Sequence, residues 1–554
     1  MNQLALAIRN TVRQKHFTTL SCGLIAAGLA IGASSAHALS FELENGVTVD
    51  WDTTLKYDAQ WRMEKQNETL LETSASAGNG VLRDDGNLNF DNNDMTQNRV
   101  SFTTEADINA GNYGAFVRAR GWYDDVYNDS SLTSAKGLEA AAVSKPWQQD
   151  GIDQHKSEIE MLDAFIYGDI EIGDKSLNLR AGDQVVSWGE SLALYGGISS
   201  AQGPIDATKA NSPGVDLKEI FLPVGQVYGE MNLNDTLSVG AYYQYEWDES
   251  RVDAPGTYFS PLDLYGQGAV GDLSPALAAL GGPIQEITPD SDSYGVALRY
   301  VAEELNSTEF GFYYLRYNDY IPTIQLLPTA FGGPANNVIL EHFTDINLLG
   351  MSFGTVIGDT NVSGEISYRD GQPVQLNIPG AFYFTEAETV QAQVSWLHIF
   401  GDTPFADNLT FMGEVGYNRV LGIDDDVAGD AIFGGPLSQQ DLDTVLDNDR
   451  DAASAMLRLK AEYYGVAPGL DMSVTGTYRN DFSGTSSVLF TFTEGREDLA
   501  LNLDFTYQDK HSFGASYVAF LTDPEDIVSK GKPIEFAHHT ADRDYISLYY
   551  KYSF

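Results

Sequence analysis

The chain has 554 residues, 43 % of them hydrophobic, and a formal charge of −47. That acidity excludes nucleic acid as a partner, because so negative a chain repels phosphates. Beyond residue 38 no stretch approaches the ~20 continuous apolar residues of a membrane-spanning helix. No cysteine remains there for disulfide or thiolate chemistry either, since the single one is Cys22.

Residues 1–19 are polar and carry Arg9, Arg13 and Lys15 without an acidic residue; residues 20–33 are apolar and small; Ala36-His37-Ala38 follows as a small-x-small triplet. This order predicts a secretory signal over residues 1–38, cleaved after Ala38, with Ala36 and Ala38 as the small residues read at the cut. The apolar run is too short for a transmembrane helix. Most of that run follows Cys22 instead of preceding it, which is the wrong order for a lipoprotein. Losing the three basic residues takes the charge from −47 to −50. Residues 39–554 are left as one exported domain.

The first strand of that domain is the clearest. Val47, Val49, Trp51, Thr53, Leu55, Tyr57, Ala59, Trp61 and Met63 share one face; Asp50, Asp52, Lys56, Asp58, Gln60 and Arg62 share the other. Strict alternation marks a strand with two different faces, and this one exceeds the usual ~5–6 residues of globular strands. Further strands are predicted at 99–108, 115–127, 158–172, 176–186, 224–233, 237–248, 293–301 and 308–318. The rest fall at 345–356, 360–369, 388–399, 408–418, 453–464, 469–479, 497–507, 512–520 and 544–554, for eighteen in all, with sixteen as the alternative.

The connections alternate between short turns and long segments, the longest being 64–98, 128–157, 187–223, 249–292, 319–344 and 419–452. Exported strands with an apolar and a polar face, short turns on one side and long loops on the other, specify an all-β fold. It is a transmembrane antiparallel β-barrel in the outer membrane of a Gram-negative bacterium, with both termini periplasmic. The long segments are acidic: 419–452 holds nine Asp against Arg419 and Arg450. Within it, Ser438 is expected to cap a helix running to Leu446, with Asp441 as its capping-box partner. Acidic loops suit divalent cations bridging lipopolysaccharide. The chain closes on Tyr550, Tyr552 and Phe554, an alternating aromatic ending similar to the signal read by the barrel-assembly machinery.

Several stretches resemble the bacterial outer-membrane family called domain of unknown function 1302. They are Arg83-Asp84-Asp85-Gly86-Asn87-Leu88-Asn89-Phe90-Asp91; Gly182-Asp183-Gln184-Val185-Val186-Ser187-Trp188-Gly189-Glu190-Ser191; Leu217-Lys218-Glu219 with Leu222-Pro223; and Tyr294-Gly295-Val296-Ala297-Leu298-Arg299-Tyr300. Gly364-Glu365-Ile366-Ser367-Tyr368-Arg369 with Gln372-Pro373-Val374-Gln375, and Phe492-Thr493-Glu494-Gly495-Arg496, complete the set. The resemblance covers nearly the whole exported domain. It implies a large barrel working with a periplasmic lipid-carrier-like protein and an inner-membrane efflux transporter, in traffic of hydrophobic compounds or lipids. Asp183 departs from the family pattern, which more often has a basic residue there.

The polar strand faces should line the lumen. They offer Arg62, Arg99, Arg118, Arg120, Arg180, Arg299, Arg369, Arg458, Lys460 and Arg479 against Asp52, Asp58, Glu105, Asp107, Asp163, Glu230, Glu246, Glu365, Glu414, Glu462 and Asp504. Such charges either select permeants or brace the wall as cross-strand pairs. Segment 187–223 is long and only moderately polar. It either folds inward, bringing Trp188 and Glu190 to a constriction beside Asp183 and Gln184, or closes the barrel top from outside. Asp85, Asn87, Asn89 and Asp91 alternate oxygen ligands as calcium loops do, without a complete ligand set; calcium is the only cofactor the sequence offers. Serine-hydrolase, zinc-protease and phosphate-loop motifs are missing.

The expected function is passage of small hydrophobic or amphipathic molecules, or lipids, across the outer membrane, with no reaction catalysed. The alternative is a structural or adhesive surface barrel whose acidic loops bind divalent cations or partners. An inward-folded 187–223 favours the first.

Overall fold

The structure, a computed structural model, describes residues 39–43, 46–71, 85–128, 149–260, 266, 285–290, 292–325, 339–378, 382–532 and 534–554. The predicted signal, with Ala36 and Ala38, lies outside the described residues.

Eighteen strands make a closed sheet, and a short nineteenth, Leu39–Glu42, pairs antiparallel with the start of the first. In chain order they are β1 Thr48–Arg62, β2 Met95–Asn109, β3 Tyr113–Asp124, β4 Ser157–Ile172, β5 Lys175–Gln184 and β6 Val224–Asn232. Then come β7 Leu237–Gln244, β8 Ser293–Ala302, β9 Thr308–Tyr317, β10 Ile346–Ile357, β11 Thr360–Gln375 and β12 Phe384–Gly401. The last are β13 Asn408–Ile423, β14 Asp451–Ala467, β15 Leu470–Ser483, β16 Glu497–Tyr507, β17 His511–Phe520 and β18 Tyr545–Ser553. Every strand pairs antiparallel with its sequence neighbours, and β18 pairs with β1 from Tyr545↔Arg62 to Ser553↔Thr54. Phe554 finishes the seam: its N–H donates to the Thr53 carbonyl at 2.9 Å and its carbonyl accepts from Thr53 at 2.8 Å. The eighteen strands close into a barrel that leaves none of them as an edge, which is what a bilayer demands of a strand-built protein.

Its polarity is inside-out. On β1 the side chains of Lys56, Asp58, Gln60 and Arg62 are all at most 6 % exposed, while Tyr57 between them is 45 % exposed. On β8 the exposed residues are Tyr294, Val296, Leu298 and Tyr300; on β16 they include Leu501 and Leu503. Water would not tolerate rows of Val, Leu and Phe around an entire sheet, whereas hydrocarbon favours them. Where the strands meet the long connections, outward tyrosines turn their hydroxyls to polar partners: Tyr57 to Asn98 (3.1 Å), Tyr314 to Asn347 (2.9 Å) and Tyr517 to Asp544 (2.8 Å). At the other rim lie Tyr113, Phe405, Tyr464 and Tyr507, all exposed. Two aromatic belts of this kind mark the two interfaces of a membrane.

The strand count agrees with the sequence reading, and the turns and long connections alternate without exception. Several strands are taller than expected, among them three neighbours. β11 runs to Gln375 across a bulge between Arg369 and Gln372, and β12 and β13 rise with it. Their upper ends bury Val374, Leu376, Ala387, Val420 and Ile423 under Leu437, Val445 and Leu446. On β11 the neighbours Pro373 and Val374 are both buried beyond the bulge, so the alternation that reveals a half-buried strand breaks there. The helix expected from Ser438 is different too: residues Leu437–Gln439 form a 3-10 turn, and Asp441 is itself the cap of a short helix, Leu442–Val445, accepting from Asp443 N–H.

The inside-out reading predicts asymmetric effects of one charge. Leu501→Arg, facing lipid, should destabilise the refolded barrel by ~2–4 kcal/mol. Asn502→Arg, on the lumen side of the same strand, should cost under ~1 kcal/mol. Urea unfolding in vesicles checks this, and equal losses would contradict it.

Candidate functional site: a segment folded across the lumen

Between Gln184 and Val224 the chain leaves the wall and enters the barrel. Trp188 is the anchor. It is buried, with ring centroids 5.0 Å from Tyr242 and 6.0 Å from Tyr313. These lumen-facing tyrosines, with Leu315, Leu348 and Ile346, give the barrel interior a true apolar core into which Ile198 and Ala201 of the segment also pack. An amide clamp fixes the entry: Trp188 N–H donates to Gln202 Oε1 at 2.9 Å, and Gln202 Nε2 donates back to the Trp188 carbonyl at 3.2 Å.

Residues 189–198 then cross to β11, β12 and β13. β13 is eight places from β5 in a ring of eighteen, one short of diametrically opposite. The crossing has no regular secondary structure, so its amides need outside acceptors. Two wall carboxylates supply them. Glu365 on β11 accepts from Ser191 (3.1 Å) and Ile198 (2.7 Å), and from Glu190. Glu414 on β13, fully buried, accepts from Leu192 (3.0 Å), Ala193 (2.7 Å) and Leu194 (2.8 Å), and from the Ser191 hydroxyl (3.1 Å). Carbonyls are served as well: Arg369 donates to those of Gly196 (2.6 Å) and Gly197 (2.9 Å), Gln391 to Tyr195 and Gln393 to Leu194. Backbone wrapped around a carboxylate leaves no room for a side chain. A Cβ on Gly189 (φ +108°) would stand 2.6 Å from Glu365 Oε2, and one on Gly196 (φ +97°) 2.5 Å from Gln391 Oε1.

The segment returns along the opposite wall. Asp206, buried, takes Arg120 and the Thr208 hydroxyl, with Arg251 at 3.9 Å and Lys209 at 4.0 Å. Burial opposes ionisation of Asp206, but Lys209, Arg120 and Arg251 outweigh it and hold its carboxyl below the usual range. Burial pushes the Lys209 ammonium down to about 7 against the pull of Asp206, and its Nζ sits 3.8 Å over the Trp122 ring. Lys218 pairs with Glu105 at 3.0 Å, and Lys551 of β18 with Asp216 at 3.1 Å. The segment is thus tied to both halves of the wall.

Of the residues singled out from sequence, Gln184, Trp188, Glu190, Glu365, Arg369 and Arg120 come together in or on this segment. Desolvation, then Glu309 and Glu365, raises the pKa of Glu190. Most lumen cations brace: Arg118 bridges Glu105 (2.9 Å) and Asp163 (2.7 Å), Arg299 pairs with Glu230, Lys460 with Glu462 and Arg479 with Asp481. Three form no ion pair among the described residues: Arg369 serves the segment's carbonyls, Arg180 lies over the Tyr228 ring at 4.5 Å, and Arg458 donates to Thr477 Oγ1 at 3.1 Å. Asp183 is not among the lumen groups; it has the opposite parity to Gln184 and lies with its partner Gly225 near Tyr245, half-exposed at the rim. Of the calcium candidates, the Asp85 side chain lies outside what the structure describes, and Asn87, Asn89 and Asp91 are each engaged elsewhere. Asp85–Asn89 is a helical turn, so alternate residues diverge. Asn87 instead donates to Asp542, Asn89 to the Gly256 carbonyl, and Asp91 accepts from Gln66. Gln391 and Gln393 carry no signal in the sequence, and Glu414 stands there only among the lumen charges that either select permeants or brace the wall. Only the glycines of the segment hint at their role.

The architecture is that of a wide membrane barrel with an internal constriction. The chain belongs to the family described as protein of unknown function (DUF1302), whose model matches residues 19–554. No curated protein matches it in sequence. Solved structures to which the chain is similar include Pseudomonas aeruginosa OccK1 (OpdK), at 9 % identity over 91 % of this chain and 98 % of that one, TM-score 0.42. Others are Acinetobacter baumannii OccAB1 (10 %, 94 % and 99 %, TM-score 0.42) and a BenF-like porin from Pseudomonas fluorescens Pf-5 (11 %, 93 % and 99 %, TM-score 0.39).

Glu414→Ala strips acceptors from buried amides, each worth ~1–3 kcal/mol. Amide exchange over residues 190–198 should accelerate at least about tenfold, with β14 amides unchanged. Unaltered exchange in the segment would contradict the assignment.

Proposed function

We propose that the protein is an outer-membrane channel that passes small hydrophobic or amphipathic molecules, or lipids, around or past the segment 185–223. The observation that carries the reading is that segment's inward course. A surface or adhesive barrel has no use for a device that narrows the lumen and is fastened to both walls. Export by the 1–38 signal, the apolar girdle and the aromatic C-terminus, with Tyr550, Tyr552 and Phe554 as the assembly signal, support an outer-membrane location. The acidic long connections then face outward and both termini lie in the periplasm.

The lumen supports an amphipathic permeant. It holds an aromatic core of Trp188, Tyr228, Tyr242 and Tyr313, which the segment covers and which an apolar body would reach only where the segment shifts, beside the guanidinium of Arg180, with Arg458 on the more open side. An apolar body and an acidic head would each find a partner. Within such traffic a periplasmic lipid-carrier-like protein and an inner-membrane transporter would hand the molecule to, or take it from, the barrel.

Planar-bilayer recording tests this. The refolded barrel should show small openings, and Glu365→Ala/Glu414→Ala should enlarge them several-fold. Arg458→Gln should shift selectivity away from anions. A folded barrel that stays silent even with both carboxylates removed would defeat the channel reading.

A further inference from the structure

The connections after β7 and β9 build a small platform. Residues Gln285–Ile287, Thr323–Gln325 and Ile339–Glu341 form a three-stranded sheet, with Leu340 paired to Glu286. His342 follows its central strand and is 2 % exposed, edge-on to Trp247 at 4.6 Å. Its Nδ1 stands 3.1 Å from the Asp319 carbonyl. A carbonyl can only accept, so the proton is on Nδ1 and Nε2 presents a bare lone pair. That Nε2 is buried and has no hydrogen-bond partner. What faces it is acidic: Glu286 Oε1 lies 3.7 Å away, and one ligand atom each from His342, Glu286 and Glu249 lie within 4.8 Å of one another.

Two carboxylates aimed at an imidazole lone pair repel one another unless a cation sits between them. We infer that Glu249, Glu286 and His342 form a binding site for a divalent transition ion, zinc(II) being the best fit. One nitrogen and two carboxylate oxygens, with water as the fourth ligand, is a set that zinc accepts. Calcium would require six to eight oxygens. Tetrahedral zinc with bonds of ~2.0–2.1 Å needs ligand atoms about 3.4 Å apart, so the three groups have only a short distance to close. The hydrogen bond from Nδ1 to a backbone carbonyl is the usual outer support of a metal-binding histidine, fixing its tautomer and orientation. The electrostatics agree. Burial pushes His342 down to about 4, keeping it neutral and able to ligate. Burial and then Glu286 push Glu249 up to about 7, a penalty that a cation would relieve. Bound metal would pin the chain leaving β7 to two strands of the platform and stiffen that side of the mouth.

The test uses the full mature chain, without a histidine tag, refolded in detergent and titrated calorimetrically with zinc chloride alone. One saturable zinc per chain is expected, with affinity falling at least about a hundredfold in Glu286→Gln and in His342→Ala. Glu286 is exposed, so its variant guards against misfolding; retained heat-modifiable mobility on an unboiled gel confirms the barrel in both. Cobalt(II) should give the visible absorption of a four-coordinate site in the native chain only. Absence of saturable zinc binding, binding that both variants leave intact, or displacement of zinc by stoichiometric calcium would each overturn the assignment.

Discussion

An irregular segment inside a membrane barrel is possible only if its backbone groups find partners there, and in this protein two wall carboxylates meet that need. Glu365 and Glu414 together accept six amide hydrogens from residues 190–198. Hydrogen bonds to ionised groups are worth about 1.5–3 kcal/mol each, more than those between neutral partners. Much else follows. The glycines at 189 and 196 exist because the wrap is close. Arg369 exists to serve the two carbonyls left on the far side. The apolar anchorage of Trp188 and Ile198 then becomes affordable, because no buried donor is stranded by it.

The second constraint is the bilayer, which inverts the usual placement of residues. With lipid outside, leucines and tyrosines belong on the outer surface and charges inside. The lumen must then neutralise what it holds. It does so by pairing: Arg118 with Glu105 and Asp163, Arg120 with Glu160 and Asp206. Against that background the guanidiniums of Arg180 and Arg458 stand out as charge still available to a permeant.

The barrel was legible in sequence because a lipid–water contrast across each strand writes itself as strict alternation, and because turns and loops keep to opposite sides. β1 shows this best, with Tyr57 out and Lys56 and Asp58 in. Legibility failed where the alternation breaks, as at the top of β11, where Pro373 and Val374 are both buried. It also failed where partners are remote: Leu192 and Glu414 are separated by 222 positions, and no local pattern links them. Segment 187–223 was recognisable as unusual by its length and modest polarity. That it folds inward is a property of the wall, in the placement of Glu365, Glu414, Gln391 and Gln393, and not of the segment alone. The proposed zinc triad eluded the sequence for the same reason: Glu249 and Glu286 stand far apart in one connection and His342 comes from another.

The most direct test of the inward fold is a disulfide trap, which a domain without native cysteines makes simple to read. A Cβ placed on Gly416 of β13 would lie 3.0 Å from the Leu194 side chain. Leu194→Cys/Gly416→Cys should therefore form an intramolecular disulfide on mild oxidation of the folded barrel, seen as a mass loss of two hydrogens and a shifted non-reducing mobility. If both thiols instead stay free and react with a bulky maleimide from water, the segment does not cross the lumen, and the account fails at its centre.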